Sequence, residues 1–302
     1  MIGYISKYCG FCFGVSLAVK AAYDESKYDK LYMYGEIVHN PAVIKKLIKN
    51  NVSIINGAEE ILKISSPKVL IRAHGIPKFA VKLLKENNSI IIDKTCPKVK
   101  KIHNVVSKAY EENKKIIIVG NPMHPEVVGI NGWCNFSATV VKNIQHANEI
   151  IGELNPQDIF CMVSQTTFNY EKYLGIYKFC IKHLKDIEFN NTICGDTSNR
   201  QKEIMRLSKK VDMIIVIGGK NSSNSAKLFE IAKENCKYAQ HIETENDLCF
   251  SKFGLISAFA VCSGASTPIE SVQIVIDYIK KHNKENGVQT VISRFPAQPK
   301  MR

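Results

Sequence analysis

Apolar residues fall in short runs separated by amphipathic stretches, and the two kinds of segment alternate along the chain. Compact apolar runs predict strands over 2–6, 31–35, 69–73, 90–93, 116–119, 139–141, 159–164, 213–217 and 258–262. Between them, apolar positions at helical spacing predict helices over 13–26, 41–49, 77–86, 97–112, 170–183, 198–209, 223–235 and 268–281. Pro41 and Pro97 suit the first turn of a helix, where the missing N–H is not needed. A polar tail follows, with a short apolar run over 288–292 that has the makings of a strand added elsewhere. Strands alternating with helices predict α/β architecture built on mostly parallel sheets.

At 302 residues and 45% hydrophobic, the chain can bury a large core. No apolar stretch approaches the roughly 20 residues a membrane helix needs. The longest, 255–262, is interrupted by Ser257 and reads as a buried strand. The first residues lack a basic segment followed by an apolar one, so no secretion signal is expected. The formal charge is +13, but the lysines are scattered and no basic run of five occurs. That pattern argues against nucleic acid and for a solvated surface suited to an anionic substrate or an acidic protein partner.

Ten cysteines in a chain this long do not read as a disulfide scaffold. Cys134, Cys161, Cys180, Cys236, Cys249 and Cys262 sit singly in apolar runs and read as reduced, buried thiols. Three others share a context. Cys12 lies in G-F-C-F-G-V, Cys96 in K-T-C-P-K-V and Cys194 in I-C-G-D-T-S-N-R-Q. Each stands where a strand gives way to a helix, and their spacings of 84 and 98 residues divide the chain into near-equal thirds. Residues 1–97, 98–193 and 194–282 therefore read as three similar α/β units, with 283–302 as a tail. Three thiolates at sheet edges suit a four-iron cube with one iron left without a protein ligand. Zinc, with cysteine and histidine ligands in a hydrolase, remains an alternative, as does a basic nucleic-acid-binding protein. Cys9 with Cys12 also forms a C-x-x-C.

Polar turns follow several strands. His39, His74 and His124 occupy V-H-N-P, A-H-G and M-H-P-E turns and offer donors to an anion. His103, His146, His183, His241 and His282 lack that context and read as surface residues. Glu126, two residues after His124, is a candidate proton donor if burial raises its pKa. G-G-K-N-S-S-N-S over 218–225 follows a strand and opens a helix, an arrangement suited to phosphate. S-G-A-S-T-P over 263–268 repeats that logic, and S-Q-T-T over 164–167 is a third such turn.

Taken in order, G-F-C-x-G-V, H-N-P, A-H-G, T-C-P-x-V, H-P-E-V, Q-T-T, S-N-R-Q, K-N-S-S-N-S and G-A-S-x-P closely resemble the 4-hydroxy-3-methylbut-2-enyl diphosphate reductase family, over about 2–281. The resemblance implies a pseudo-threefold α/β trefoil around a [4Fe–4S] cluster held by Cys12, Cys96 and Cys194. It implies reductive dehydroxylation of the diphosphate to isopentenyl and dimethylallyl diphosphate, the last step of the non-mevalonate isoprenoid pathway. By motif, His39, His74, Ser222, Asn224 and Ser266 would hold the diphosphate, with Ser223, Thr167 and Asn199 in the same motifs. His124, Glu126 and Thr166 would lie nearer the hydroxyl, with Glu126 delivering the proton. A ferredoxin or flavodoxin would donate electrons to a monomer or weak dimer that needs neither membrane nor nucleic acid. The enzyme would be cytoplasmic if bacterial. If eukaryotic, it would belong to a plastid-type organelle, its transit peptide absent from this chain. Two departures stand out: Cys9 where the family commonly has Arg, offering a stray thiol near the cluster, and Gly195-Asp196 in place of a Tyr-Ala type pair.

Overall fold

The computed structural model describes residues 1–38 and 40–296. Among them the strands are β1 (Ile2–Ile5), β2 (Leu31–Tyr34), β3 (Val52–Ile55), β4 (Lys68–Ile71), β5 (Ile90–Asp93), β6 (Lys115–Val119), β7 (Thr139–Val141), β8 (Ile159–Ser164), β9 (Asp186–Phe189), β10 (Met213–Ile217), β11 (Tyr238–Ile242), β12 (Ala258–Ser263) and β13 (Val291–Arg294). They form three parallel sheets, ordered β3-β2-β4-β5, β7-β6-β8-β9 and β11-β10-β12-β1-β13. Helices connect successive strands, as parallel pairing requires. No helix among the described residues is long and apolar enough to cross a membrane.

The chain divides into two compact units. One comprises Phe13–Ile37 and Ala42–Cys194 and contains the two four-stranded sheets. Its second sheet is covered on both faces. Ile117, Val119, Phe160 and Met162 pack with Tyr173 and Ile176. The alternate residues Ile116, Ile118, Cys161 and Val163 pack with Val106, Val127 and Ile130. A strand buried on both sides must be apolar at every position, which is why β6 and β8 read as unbroken apolar runs.

The other unit comprises Met1–Cys12, the described residues of Val38–Pro41 and those from Gly195 onward. It contains the five-stranded sheet. The five residues of β10 are all buried, with Met213, Ile215 and Ile217 in one core and Ile214 and Val216 in another.

The first strand differs from the grouping expected for residues 1–97. β1 pairs with β12 and β13, Ile2 standing opposite both Ala258 and Val291. Pairing follows the edge that accepts the strand, not closeness in sequence. Gly3 is shaped for that place: a Cβ there would collide with Ile292 and lie 2.7 Å from the ring of Phe259. The tail run does add a strand elsewhere, as β13 on the far side of β1.

Candidate functional site

The unit comprising Phe13–Ile37 and Ala42–Cys194 brings two of the three singled-out cysteines into one neighbourhood. Cys96 ends the segment after β5 and is the N-cap of the helix Pro97–Glu111, with Pro97 in the first turn. Its own N–H donates to Ala73 O at 3.0 Å. Burial pushes the Cys96 thiol above its ordinary pKa. The N–H groups of Lys98 and Val99 pull it back, and the nearby charges of Cys194 and Glu126 push it up again. Gly14 leaves room for this side chain. A Cβ at position 14 would lie 2.8 Å from Cys96 Sγ, so the glycine of G-F-C-F-G-V is a steric necessity. Cys194, half-buried, donates its N–H to Thr166 O at 2.9 Å.

Thr166 in turn holds Glu126. Its N–H donates to Glu126 Oε1 at 2.6 Å and its hydroxyl to Oε2 at 2.7 Å. Glu126 is only 2% exposed. Burial raises its pKa above the ordinary 4.5, more than the two Thr166 bonds lower it. His124 caps the helix Pro125–Asn131, and its Nδ1 accepts the Glu126 N–H at 3.1 Å. A neutral ring bonded this way carries its proton on Nε2. His74 meets His124 edge to face, with ring centroids 5.2 Å apart. Thr167 Oγ1 accepts from Gln165 Nε2 at 2.9 Å, while Gln165 Oε1 accepts the Asn121 N–H at 3.2 Å. The turns after β6 and β8 are thereby fastened together.

His103 is a correction to the sequence reading. It is 3% exposed, and burial lowers its pKa to about 4. It stacks on Trp133 at 4.9 Å, whose Nε1–H donates to Ile76 O at 3.1 Å. A Cβ on Gly75, where φ is +71°, would lie 2.5 Å from the imidazole. The ring thus packs beneath the turn that carries His74. The signal was present, since His103 shares the buried helix face with Val99, Ile102 and Val106.

In the other unit, Ser222 caps the helix Ser223–Asn235, its Oγ accepting the Ser225 N–H at 3.3 Å. The Ser266 hydroxyl donates to Ser222 Oγ at 3.4 Å, joining the two Ser-rich turns. Asn224 is 4% exposed, and neither Nδ2 nor Oδ1 has a hydrogen-bond partner among the described residues. A buried amide left unpaired costs stability and calls for a polar ligand. Gly218 and Gly264 both press on Ser225, which leaves no room for a Cβ at either position. Ser223 opens the helix, and Asn199 is exposed on the helix Gly195–Leu207. His39 lies outside the described residues.

Cys12 donates its N–H to Ala265 O at 3.0 Å. The segment before it is clamped by Arg200, a residue the sequence reading passed over. Arg200 is 4% exposed and donates to Gly10 O at 3.0 Å, Ser263 O at 2.9 Å and Asp196 Oδ2 at 2.7 Å. Asp196 therefore gives the buried guanidinium its counter-charge. Cys9 packs against the core, and burial pushes its thiol up to about 11 against the pull of Ser263 and Arg200. It stays protonated at neutral pH and offers no stray thiolate.

The family model described as LytB protein matches residues 4–280. The chain belongs to the LytB family. It is 42% identical over 288 residues, 94% of this chain and 98% of the relative, to a Thermoanaerobacter protein named 4-hydroxy-3-methylbut-2-enyl diphosphate reductase. The Clostridioides difficile protein of the same name is 37% identical, over 91% of this chain and 98% of its own. Among solved structures, the E-1-hydroxy-2-methyl-but-2-enyl-4-diphosphate reductase of Plasmodium falciparum matches with a TM-score of 0.88. That match has 27% identity and covers 100% of this chain and 95% of that one. A second structure, described as the terminal enzyme of the non-mevalonate pathway, matches with a TM-score of 0.66 at 34% identity, over 93% of this chain and 100% of that one. Neither a zinc hydrolase nor a nucleic-acid-binding protein is supported by these matches.

Proposed function

We infer that the chain reduces 4-hydroxy-3-methylbut-2-enyl diphosphate to isopentenyl and dimethylallyl diphosphate, as the last step of the non-mevalonate isoprenoid pathway. The names of its LytB relatives supply the reaction. The observation that carries the local reading is the shared environment of Cys96, Cys194 and the buried acid Glu126.

Cys12, Cys96 and Cys194 are the ligands proposed for a [4Fe–4S] cluster. The chemistry of the donors fits such a group. A thiol whose pKa is raised by burial and by negative neighbours ionises readily only when a metal takes the sulfur. Among the described residues, no three His, Cys, Asp or Glu side chains are gathered around one point as a single ion would require. A cube of irons spaces its thiolates more widely than a single ion does. When bound, the cluster supplies one iron without a protein ligand, which serves as a Lewis acid and one-electron conduit.

The chain's own residues bind, orient and protonate. The overall change takes two electrons and two protons, releases the allylic hydroxyl as water and leaves a C–H bond on the allyl fragment. Glu126 holds the proton destined for the leaving oxygen, and Thr166 fixes the direction of the carboxyl through two hydrogen bonds. His124 presents Nε2–H. His39, His74, Ser222, Asn224 and Ser266 grip the diphosphate, with Ser223, Thr167 and Asn199 beside them. Binding energy from the phosphates thereby fixes the carbon chain for reaction. The electron donor is an acidic ferredoxin or flavodoxin.

The test is anaerobic purification, iron and sulfide counting, and turnover with a reduced dye. Brown protein with about four irons per chain and release of both products supports the reading. Colourless, zinc-loaded protein without turnover overturns it.

A further inference from the structure

Electrons must reach the proposed cluster from outside, and one exposed face lies beside Cys96. The close approach of Gly14 to Cys96 Sγ brings the start of the helix Phe13–Glu25 against the start of the helix Pro97–Glu111. On the first helix, Phe13 is 70% exposed and Leu17 is 42% exposed, one turn apart on the same side. Together the two side chains make a contiguous exposed apolar patch, the kind of surface that marks a protein contact when rimmed by polar residues. Lys20 continues this face and is exposed. On the second helix, Lys98 and Lys101 are exposed, and half-buried Lys94 precedes Cys96. None of these four lysines has an ion pair among the described residues. The nearby acid Asp93 is already bound to Lys100 at 2.7 Å.

We propose that Phe13, Leu17, Lys20, Lys98 and Lys101 form the docking surface for the electron donor, an acidic protein carrying a one-electron centre near its own surface. The surface has an apolar centre and a basic rim, the usual anatomy of a transient protein contact. Its charge complements an acidic partner, and steering by such a rim raises the rate of encounter. Its position beside a proposed cluster ligand keeps the electron's path short. The inference rests on Cys96 holding the cluster.

The test uses the cluster-loaded enzyme and an acidic [2Fe–2S] ferredoxin as probe. Affinity is measured at low and at moderate salt. Phe13→Ser with Leu17→Ser, and Lys98→Glu with Lys101→Glu, should each weaken ferredoxin binding by about tenfold or more. Lys20→Glu with Lys101→Glu is a second charge variant, farther from the sulfur. The charge variants should also lose much of the salt dependence. Iron content should be unchanged, and turnover driven by reduced methyl viologen should stay within about twofold of the parent. Unchanged ferredoxin affinity in all three variants overturns the surface. Equal loss of ferredoxin-driven and dye-driven turnover also overturns it, because the substitutions then act on the site itself. Failure of the parent to reduce substrate with the dye defeats the functional reading instead, and the binding measurement still decides the surface.

Discussion

Gly14 and Cys96 are packed so closely that a Cβ on the glycine would stand 2.8 Å from the sulfur and 3.0 Å from the cysteine Cβ. Within a helix, Gly→Ala ordinarily stabilises by about 1 kcal/mol. Overpacking costs about 1–3 kcal/mol, and here it wins because the neighbour is a short side chain with nowhere to swing. Gly14→Ala should therefore lower the thermal midpoint and the iron content together. In a Cys96→Ala background the penalty should shrink. A penalty of equal size in both backgrounds would show that the two residues do not interact.

Glu126→Gln keeps the shape of the Thr166 contact but removes the acidic proton. Turnover should fall by about 10²–10⁴, the usual range for a general acid, with iron content unchanged. Stability gives an independent reading. The folded pKa of Glu126 is raised, so the folded state favours the protonated form. That advantage is present below about pH 4.5 and is lost as pH rises through the folded value. Thermal unfolding should then show the glutamine variant gaining on the parent as pH rises above 4.5. A constant difference across that range would remove the buried-acid assignment.

Asn224 is buried with its amide unpaired, so Asn224→Leu should leave the ligand-free protein as stable as the parent or more so. Binding of inorganic diphosphate should weaken by about 1.5–3 kcal/mol, the worth of a hydrogen bond to a charged group. Calorimetric titration checks both halves. Unchanged affinity would take Asn224 out of the site.

His103 is neutral in the fold, its pKa lowered from 6.5 to about 4. The unfolded chain binds the extra proton first, so stability falls as pH drops from 6.5 toward 4 and levels off below that. The full effect is on the order of 3 kcal/mol. His103→Phe, which keeps a flat ring over Trp133, should flatten this acid limb. An acid limb of unchanged slope in melts from pH 4 to pH 7 would assign it to other groups.

The centres of the sheets were legible because a strand buried on both faces must be apolar where it is buried, as β10 is throughout and β6 and β8 are apart from Lys115 and Ser164 at their ends. The edge strands β9 and β11 went unread. Asp186-Ile-Glu-Phe189 alternates polar and apolar residues over too few positions to stand out, and Tyr238-Ala-Gln-His-Ile242 has no clear period of two. β3, Val52–Ile55, is equally short and at an edge. The partners of β1 were invisible because pairing across 256 residues leaves no local trace. At the candidate site, the cysteine, His-Pro-Glu and Ser-Asn turns could be read from their residue types. Arg200 could not, because its work is done through contacts with Gly10 and Ser263, both distant in sequence, and for His103 only the burial was foreshadowed, by its helix face, not the stacking on Trp133 or the fit against Gly75.

The placement of β1 sets an order of events during synthesis. This strand leaves the ribosome first but lies between β12 and β13, which leave last. Its backbone edges wait unpaired while nearly the whole polypeptide is made, and such long-range pairing closes slowly. The turn carrying Cys12 is fastened by Ala265 and, through Gly10, by Arg200, so the first of the three proposed ligand cysteines is fixed in place only near the end. On the proposed ligand assignment, iron is expected to enter only after the chain is complete. Nascent chains stalled before residue 258 should remain protease-sensitive ahead of Cys12 and hold no iron, and early protection there would refute this order.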